Sequence, residues 1–293
     1  MSDPVTAATP DIASLRARAA RIRVSILKML TAAGSGHPGG SLSAADILTT
    51  LFFAPVLHFH ADELDWPGRD RFILSKGHAA PVLYATLAEL GIIEADELLT
   101  LRKLGSRLQG HPDARRLPGV EVSTGSLGQG LSISAGLALG LRMDHALGAT
   151  ARLPQVYTVL GDGELQEGQV WEAAEFAANY KLDNLTAIVD RNMLQIDGPT
   201  EEVMALGDVA AKFASFGWEA SDVDGHDIEA LYEALSALRR VDMPRVIVAH
   251  THKGEGVSFM RDEVGWHGKA PSAEECAQAC GEICACSEGG DAR

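Results

Sequence analysis

The segment Val156-Tyr157-Thr158-Val159-Leu160 runs directly into Gly161-Asp162-Gly163, and Thr186-Ala187-Ile188-Val189-Asp190 runs into Arg191-Asn192. Each apolar run is short, rich in β-branched residues and ended by turn residues, the pattern of a strand buried on both faces. Between them, Val170 to Tyr180 reads as a helix. Strand, helix and strand in this order predict a right-handed βαβ unit with two parallel strands. The alternation continues with a helix at Val209 to Phe216, a strand at Trp218 to Val223, a helix at Ile228 to Arg239 and a strand at Arg245 to Ala249. The expected fold is therefore α/β, a parallel sheet with helices on both faces. Ligands of such sheets bind beyond the carboxyl ends of the strands, which is where Asp162 and Asn192 fall.

Upstream, Asp11 to Ala32 has helical spacing and is stopped by Gly34-Ser35-Gly36-His37-Pro38-Gly39-Gly40. Ser43 is a plausible N-cap for a helix from Ala44 to Phe53, and Arg71 to Leu74 is a short strand running into Ser75-Lys76-Gly77-His78. Pro81 to Leu90 and Ala95 to Leu104 read as helices. Gly125-Ser126-Leu127-Gly128-Gln129-Gly130 opens a long helix of small residues from Leu131 to Leu147. No repeat or composition break divides the chain. The expected organisation is a flexible N-terminus (1–10), one domain (11–272) and a Cys-containing tail (273–293), with irregular chain after about Lys253.

The composition narrows the function. Forty acidic against twenty-five basic side chains give a formal charge of −15, so binding to a nucleic-acid backbone is disfavoured. No apolar run approaches the roughly 20 residues that span a bilayer, and the N-terminus lacks an apolar stretch behind a basic start. The chain therefore reads as cytoplasmic, with no membrane partner. Its cysteines, Cys276, Cys280, Cys284 and Cys286, cluster near the C-terminus, so no disulfide framework braces the body.

Asp162 and Asn192 offer oxygen ligands at adjacent strand ends, the donor type a hard divalent cation takes alongside a substrate phosphate. Glycines beside Asp162 permit close approach of a phosphate, and the helix that follows points its N-terminus at the same place. Taken singly, each residue reads first as a turn residue at a strand end, and it is their pairing on adjacent strand ends that favours the ligand reading. His37 and His111 are each followed by proline, which restricts the backbone and fixes the direction of the ring. His58, His60, His145 and His226 sit in stretches that read as solvated surface. His250 and His252 form a pair with no third ligand in sight, and are also read as surface. Cys276, Cys280 and Cys284 would share one helical face, with Cys286 just past its end. A straight helix cannot wrap three thiolates around one zinc ion, so reduced, semi-exposed thiols are expected.

Gly161-Asp162-Gly163, Glu167-Gly168 and Asn192-Met193-Leu194-Gln195-Ile196-Asp197-Gly198 together resemble the thiamine diphosphate motif, and the chain from about residue 12 to 272 resembles the amino-terminal half of transketolase. The ordered segments Gly36 to Gly40, Ser75 to His78, Gly110-His111-Pro112, Ser123 to Gly130 and Trp266-His267-Gly268 agree with that family. The resemblance implies that Asp162, Asn192 and the Leu194 carbonyl hold Mg²⁺ (or Ca²⁺) against the cofactor diphosphate. It implies that Gly163 N–H, His78 and His267 contact the diphosphate, and that Gly125 and the Leu127 carbonyl lie against the aminopyrimidine. Glu167 would stand at an interface with a neighbouring chain, as would the small-residue helix. His37, His111 and His267 would line the substrate channel, where imidazoles can donate to a developing alkoxide and take its proton back.

A nicotinamide-binding reading fits poorly, because Gly125, Gly128 and Gly130 have the wrong spacing and follow no convincing strand. The chain is also about half the length of familiar single-chain transketolases. It lacks the pyrimidine-domain glutamate and the arginines that hold the sugar phosphate. The resemblance thus implies the amino-terminal subunit of a split transketolase, which acts on sugar phosphates in a two-plus-two assembly with a carboxyl-terminal subunit. The alternatives are a deoxyxylulose-phosphate synthase-like enzyme, the α-subunit of a dehydrogenase E1 component, or a non-catalytic assembly subunit.

Overall fold

The computed structural model describes residues 10–288, so nearly all of the expected flexible N-terminus, and the last residues of the tail, lie outside the described part. Helix α1 (Ile12–Ala33) begins where the Asp11 carboxylate accepts the Ser14 N–H at 3.1 Å. It ends at Gly34, whose φ of 65° is the left-handed turn that glycine adopts without strain. The short α2 (Pro38–Ser43) follows, started by proline at its first position, and leads into α3 (Ala45–Phe53). Strand β1 (Arg71–Leu74), α4 (Ala80–Glu89) and α5 (Gln129–Ala146) complete the first half.

The second half is the regular alternation. It comprises β2 (Val156–Gly161), α6 (Gly168–Asn179), β3 (Leu185–Arg191), a small hairpin of β4 (Leu194–Gln195) and β5 (Gly198–Pro199), and α7 (Thr200–Val203). Then come α8 (Val209–Ser215), β6 (Glu219–Asp224), α9 (Ile228–Ser236), β7 (Arg245–His250) and α10 (Ala273–Glu288). Five strands form one parallel sheet in the order β1-β2-β3-β7-β6. The register sets Leu74 beside Val159, Gly161 beside Asp190 and Arg191 beside His250, so four neighbouring strands end at one edge.

Because side chains alternate along a strand, each strand feeds two cores. Phe72, Leu74, Val159, Ile188 and Ile247 pack with α1, α3, α4 and α9 on one face. Ile73, Leu160, Val189 and Val248 pack with α5, α6 and α8 on the other. The sheet is thus covered on both faces, as expected from the sequence. No helix among the described residues is long and apolar enough to cross a membrane.

Several local expectations change. Ser43 does not cap α3, whose N-cap is Ala44 without a side-chain bond; Ser43 turns inward and its hydroxyl donates to Asp190 Oδ2 at 2.6 Å. The stretch Ala95 to Leu104 is helical only as a 3₁₀ segment, Ala95–Thr100, after which Arg102 takes a left-handed φ of 59° and its N–H bonds the Leu108 carbonyl. His226 is not a surface residue. Its Nδ1 lies 2.7 Å from Asp46, which also pairs with the buried Arg23, and its Nε2 accepts the His252 N–H. His250 and His252 instead pair with Asp222 and Asp262 at the surface.

The chain after Lys253 is irregular only as far as α10, which buries Cys276, Ala279 and Ile283 in the core beside α1. Cys276 and Cys280 stand one turn apart with their sulfurs 4.0 Å from each other, and burial first, then the neighbouring Cys276, raises the Cys280 thiol to about 11. These thiols fill space as small apolar groups. If α10 belongs to the core, Ile283→Ala, at a side chain only 3% exposed, costs about 2–5 kcal/mol of unfolding free energy. Urea unfolding measures it, and an unchanged midpoint would make α10 a dispensable appendage.

Candidate active site

A cleft of ≈ 440 Å³ opens beyond the carboxyl ends of β1, β2, β3 and β7. Into it the strand ends deliver Lys76 and His78, Asp162 and Gly163, Asn192 and Leu194, and Lys253. The loop before α2 adds His37, the turn before α5 adds Gly125 and Leu127, Glu167 borders it at the start of α6, and His267 closes one side. Of the site residues expected from the sequence, His111 alone is not part of this lining; it is exposed beside it. Its ring lies against Gly125, where an added methyl would sit 2.9 Å from its Cγ.

The oxygen-rich end is built around Asp162. Its Oδ1 accepts the Gly163 N–H at 2.8 Å, and its Oδ2 accepts the Met193 N–H at 2.7 Å and an Arg191 N–H at 3.2 Å. Asn192 Oδ1 accepts the Leu194 N–H at 3.2 Å, and Met193 between them has a φ of 64°, a bend that turns the Leu194 carbonyl back toward the strand ends. That carbonyl receives the Lys253 ammonium at 3.0 Å. Burial, and next the adjacent Asp190 carboxylate, push the Asp162 carboxyl above its ordinary range. The set therefore seeks additional positive charge. One carboxylate, one amide oxygen and one peptide carbonyl suit a hard divalent cation whose remaining ligands come from a phosphate and water.

Lys76, Lys253, Asp190, Glu164 and Arg191 escaped the sequence reading. Lys76 is fully buried and its ammonium pairs with Asp190, which also accepts from Ser43 and Thr251. Burial alone would raise Asp190, but Lys76 and these hydrogen bonds hold it below the usual carboxylate range. Glu164 is 2% exposed and accepts from the Ser75 hydroxyl, the Gly128 N–H at 2.8 Å and the Gly161 N–H at 3.0 Å. It thereby ties β1, β2 and the turn before α5 into one rim. Only one signal could have found these residues: charged side chains immediately following or ending apolar strand runs, where a sheet buries them.

Opposite the oxygen set, His37, His78 and His267 form a triangle with ring centroids 5.4, 5.5 and 5.6 Å apart. Burial, then nearby positive charge, pushes His37 down to about 4 and His267 down to about 3, and holds His78 well below the imidazole range. All three are neutral at pH 7, so each ring carries one N–H and one lone pair. His37 Nδ1 and His267 Nδ1 are buried without a protein partner. Lys253, lowered to about 8 by burial and next by Lys76, and the ammonium of Lys76 itself add cationic character. The cleft thus combines a polyanion-binding floor with neutral imidazoles above it, and it fits a diphosphate with its cation. The Leu127 carbonyl accepts from Gln169 Nε2 at 2.8 Å, and Glu167 is exposed at the rim.

The chain matches the family model of the transketolase thiamine diphosphate-binding domain over residues 15–283. It is 38% identical over 273 residues to one subunit of the apulose-4-phosphate transketolase of Phocaeicola vulgatus, covering 93% of this chain and 94% of that one. It is 45% identical over 257 residues to human transketolase, covering 87% of this chain but only 40% of the human protein. The crystal structure of transketolase from Campylobacter jejuni superposes with a TM-score of 0.86 at 33% identity, over 94% of this chain and 43% of that one. By sequence and by fold, the chain belongs to the transketolase family, as a form of its thiamine diphosphate-binding domain.

Proposed function

We propose that this chain is the amino-terminal subunit of a two-subunit transketolase that moves a two-carbon ketol group from a ketose to an aldose, with sugar phosphates as substrates, in the cytoplasm. The observation that carries the reading is the cleft itself. Its lining brings Asp162, Asn192 and Leu194, the oxygens suited to a cation, together with His78, His267 and Lys253, suited to a diphosphate, and it includes the exposed Glu167 and Ile196. The Phocaeicola relative, which matches this chain in length and is named as one subunit of a transketolase, supports the split arrangement.

In this reading Asp162, Asn192 and the Leu194 carbonyl hold Mg²⁺ (or Ca²⁺), and Gly163 N–H, His78 and His267 bind the diphosphate. Gly125 and the Leu127 carbonyl face the aminopyrimidine. Thiamine diphosphate, when bound, supplies the electron sink that lets a ketose carbon–carbon bond break and re-form. His37, His111 and His267 handle the proton: as neutral rings they donate to the sugar oxygen that gains charge and accept its proton when the bond breaks. The carboxyl-terminal subunit would add the pyrimidine grip and the sugar-phosphate arginines. Mutual completion of sites favours a closed two-plus-two assembly with Glu167 and α5 near the contact.

The chain alone therefore has no ketol-transfer activity, and gains it with its partner as a species of two copies of each subunit. Coupled assays and light scattering of the mixed chains test this. Robust turnover by the single chain, or a fully active one-to-one heterodimer, contradicts it.

Asp162→Ala or Asn192→Ala removes an oxygen ligand and abolishes the Mg²⁺-dependent part of cofactor binding in the assembled enzyme. Calorimetric titration with and without Mg²⁺ measures it, and wild-type affinity in both variants would overturn the ligand set.

The histidines divide. His111→Ala lowers kcat by roughly 10²–10⁴ with cofactor affinity nearly intact, as expected for a lost proton-transfer group. His78→Ala weakens the cofactor about tenfold, the loss of one hydrogen bond to an anion. Equal losses of cofactor affinity in the two variants would refute the assignment.

A further inference from the structure

Two loops carry the channel histidines His37 and His111, each in a Gly-His-Pro sequence, and they come from distant parts of the chain. One residue spans them. Arg102 Nη1 donates to Ser35 Oγ at 3.3 Å, beside Gly36-His37. The same guanidinium lies over Gly110, where an added methyl would meet Nε at 3.0 Å, Nη2 at 3.2 Å and Cζ at 3.3 Å. On its other side the Gly110-His111 loop is held by the Tyr84 hydroxyl, which donates to the Gln109 carbonyl at 2.9 Å and the His111 carbonyl at 3.3 Å.

Arg102 itself is held in an unusual way. Its φ of 59° is a conformation that side-chain-bearing residues seldom adopt, and it is retained with the Arg102 N–H bonded to the Leu108 carbonyl at 2.9 Å. Among the described residues no carboxylate lies within ion-pair distance of its guanidinium, although the chain as a whole is strongly acidic. An unpaired cation is thus kept against two catalytic loops.

We propose that Arg102 is a positioning residue that clamps the His37 loop to the His111 loop and presents its unneutralised charge to both rings. The inference rests on the proton-handling role given to these histidines above. The charge acts in the expected direction. Burial first, then Arg102, lowers His37 and His111. His37 also faces His111, Lys253, His78 and His267, whereas His111 faces Arg102, His37 and, through its carbonyl, Tyr84. Neutral rings at a fixed separation are what a two-way proton relay requires.

The test uses the full chain carrying ¹³C-labelled histidine, with the His37 and His111 signals assigned by single substitution. In Arg102→Met both imidazoles titrate at higher pH than in the unmodified chain, while Arg102→Lys keeps them low. Gly110→Ala, which pushes the guanidinium off the loop, shifts the His111 titration in the unmodified chain and not in the Arg102→Met background. In the enzyme assembled with its partner, both Arg102 variants lose at least tenfold in kcat at unchanged cofactor affinity. The acid limb of the kcat profile moves upward only in Arg102→Met. Unaltered histidine titrations in Arg102→Met overturn the proposal, as do full kcat in Arg102→Lys or a parallel loss of cofactor affinity. If the unmodified assembly has no ketol-transfer activity, the functional reading fails, and the titrations still decide the role of Arg102.

Discussion

The arrangement of the cleft depends on one ion pair taken out of water, Lys76 with Asp190. A buried charge is tolerable only when it is paired and its remaining hydrogen-bonding capacity is filled. Here the partners come from four places: Lys76 from the end of β1, Asp190 from β3, Ser43 from the end of α2 and Thr251 from the end of β7. Satisfying Asp190 therefore fixes the strand ends and the loop carrying His37 relative to one another. Asn192, two residues on, inherits its place from the same constraint, with its amide 3.5 Å from Asp190.

A second buried acid completes the frame at the opposite wall. Glu164 accepts from Ser75 and from the backbone of Gly128 and Gly161, which draws the turn before α5 tightly onto the end of β1. The approach leaves no room for side chains. A methyl on Gly130 would lie 2.6 Å from Ser75 Cα, and one on Gly77 would lie 2.6 Å from the Gly125 nitrogen. Glycine is required at these contacts by space, whereas Gly128, with φ of 82°, is required by conformation as well. This wall is thus largely backbone, positioned by the Glu164 carboxylate, which also lines the cleft.

The electrostatic character of the site follows from its depth. Burial keeps the imidazoles uncharged, and the ammonium groups of Lys76 and Lys253 reinforce this, while the same burial leaves the Asp162 carboxyl reluctant to ionise. A cation and a diphosphate bound there together would have complementary effects: the cation would answer Asp162, and the diphosphate would answer Lys253, whereas Lys76 is already paired with Asp190. Each component makes the other less costly to desolvate.

Much of this was legible from the chain alone. Buried-strand runs ending in Gly-Asp-Gly and Asn placed Asp162, Gly163 and Asn192 at the carboxyl edge of a parallel sheet, because strand direction and right-handed crossovers leave little alternative. The roles expected of His37, His78, His111, His267, Gly125 and Leu127 come from the resemblance that the ordered Gly-His-Pro, Gly-His and glycine-loop segments carry, and all of these residues but His111 line the cleft. Other features belong to tertiary structure only. Ser43 reads as a helix cap until Asp190, far along the chain, captures it; His226 reads as surface until Asp46 does the same. The cysteine segment reads as a helix in a tail outside the domain until α1 offers α10 an apolar face, and Arg102 reads as helical until the turn at Leu108 reverses it. In the first three cases a long-range polar or apolar partner outweighs a local preference worth about 1 kcal/mol or less, and a sequence read in one dimension does not contain that partner; at Arg102 a local turn does so.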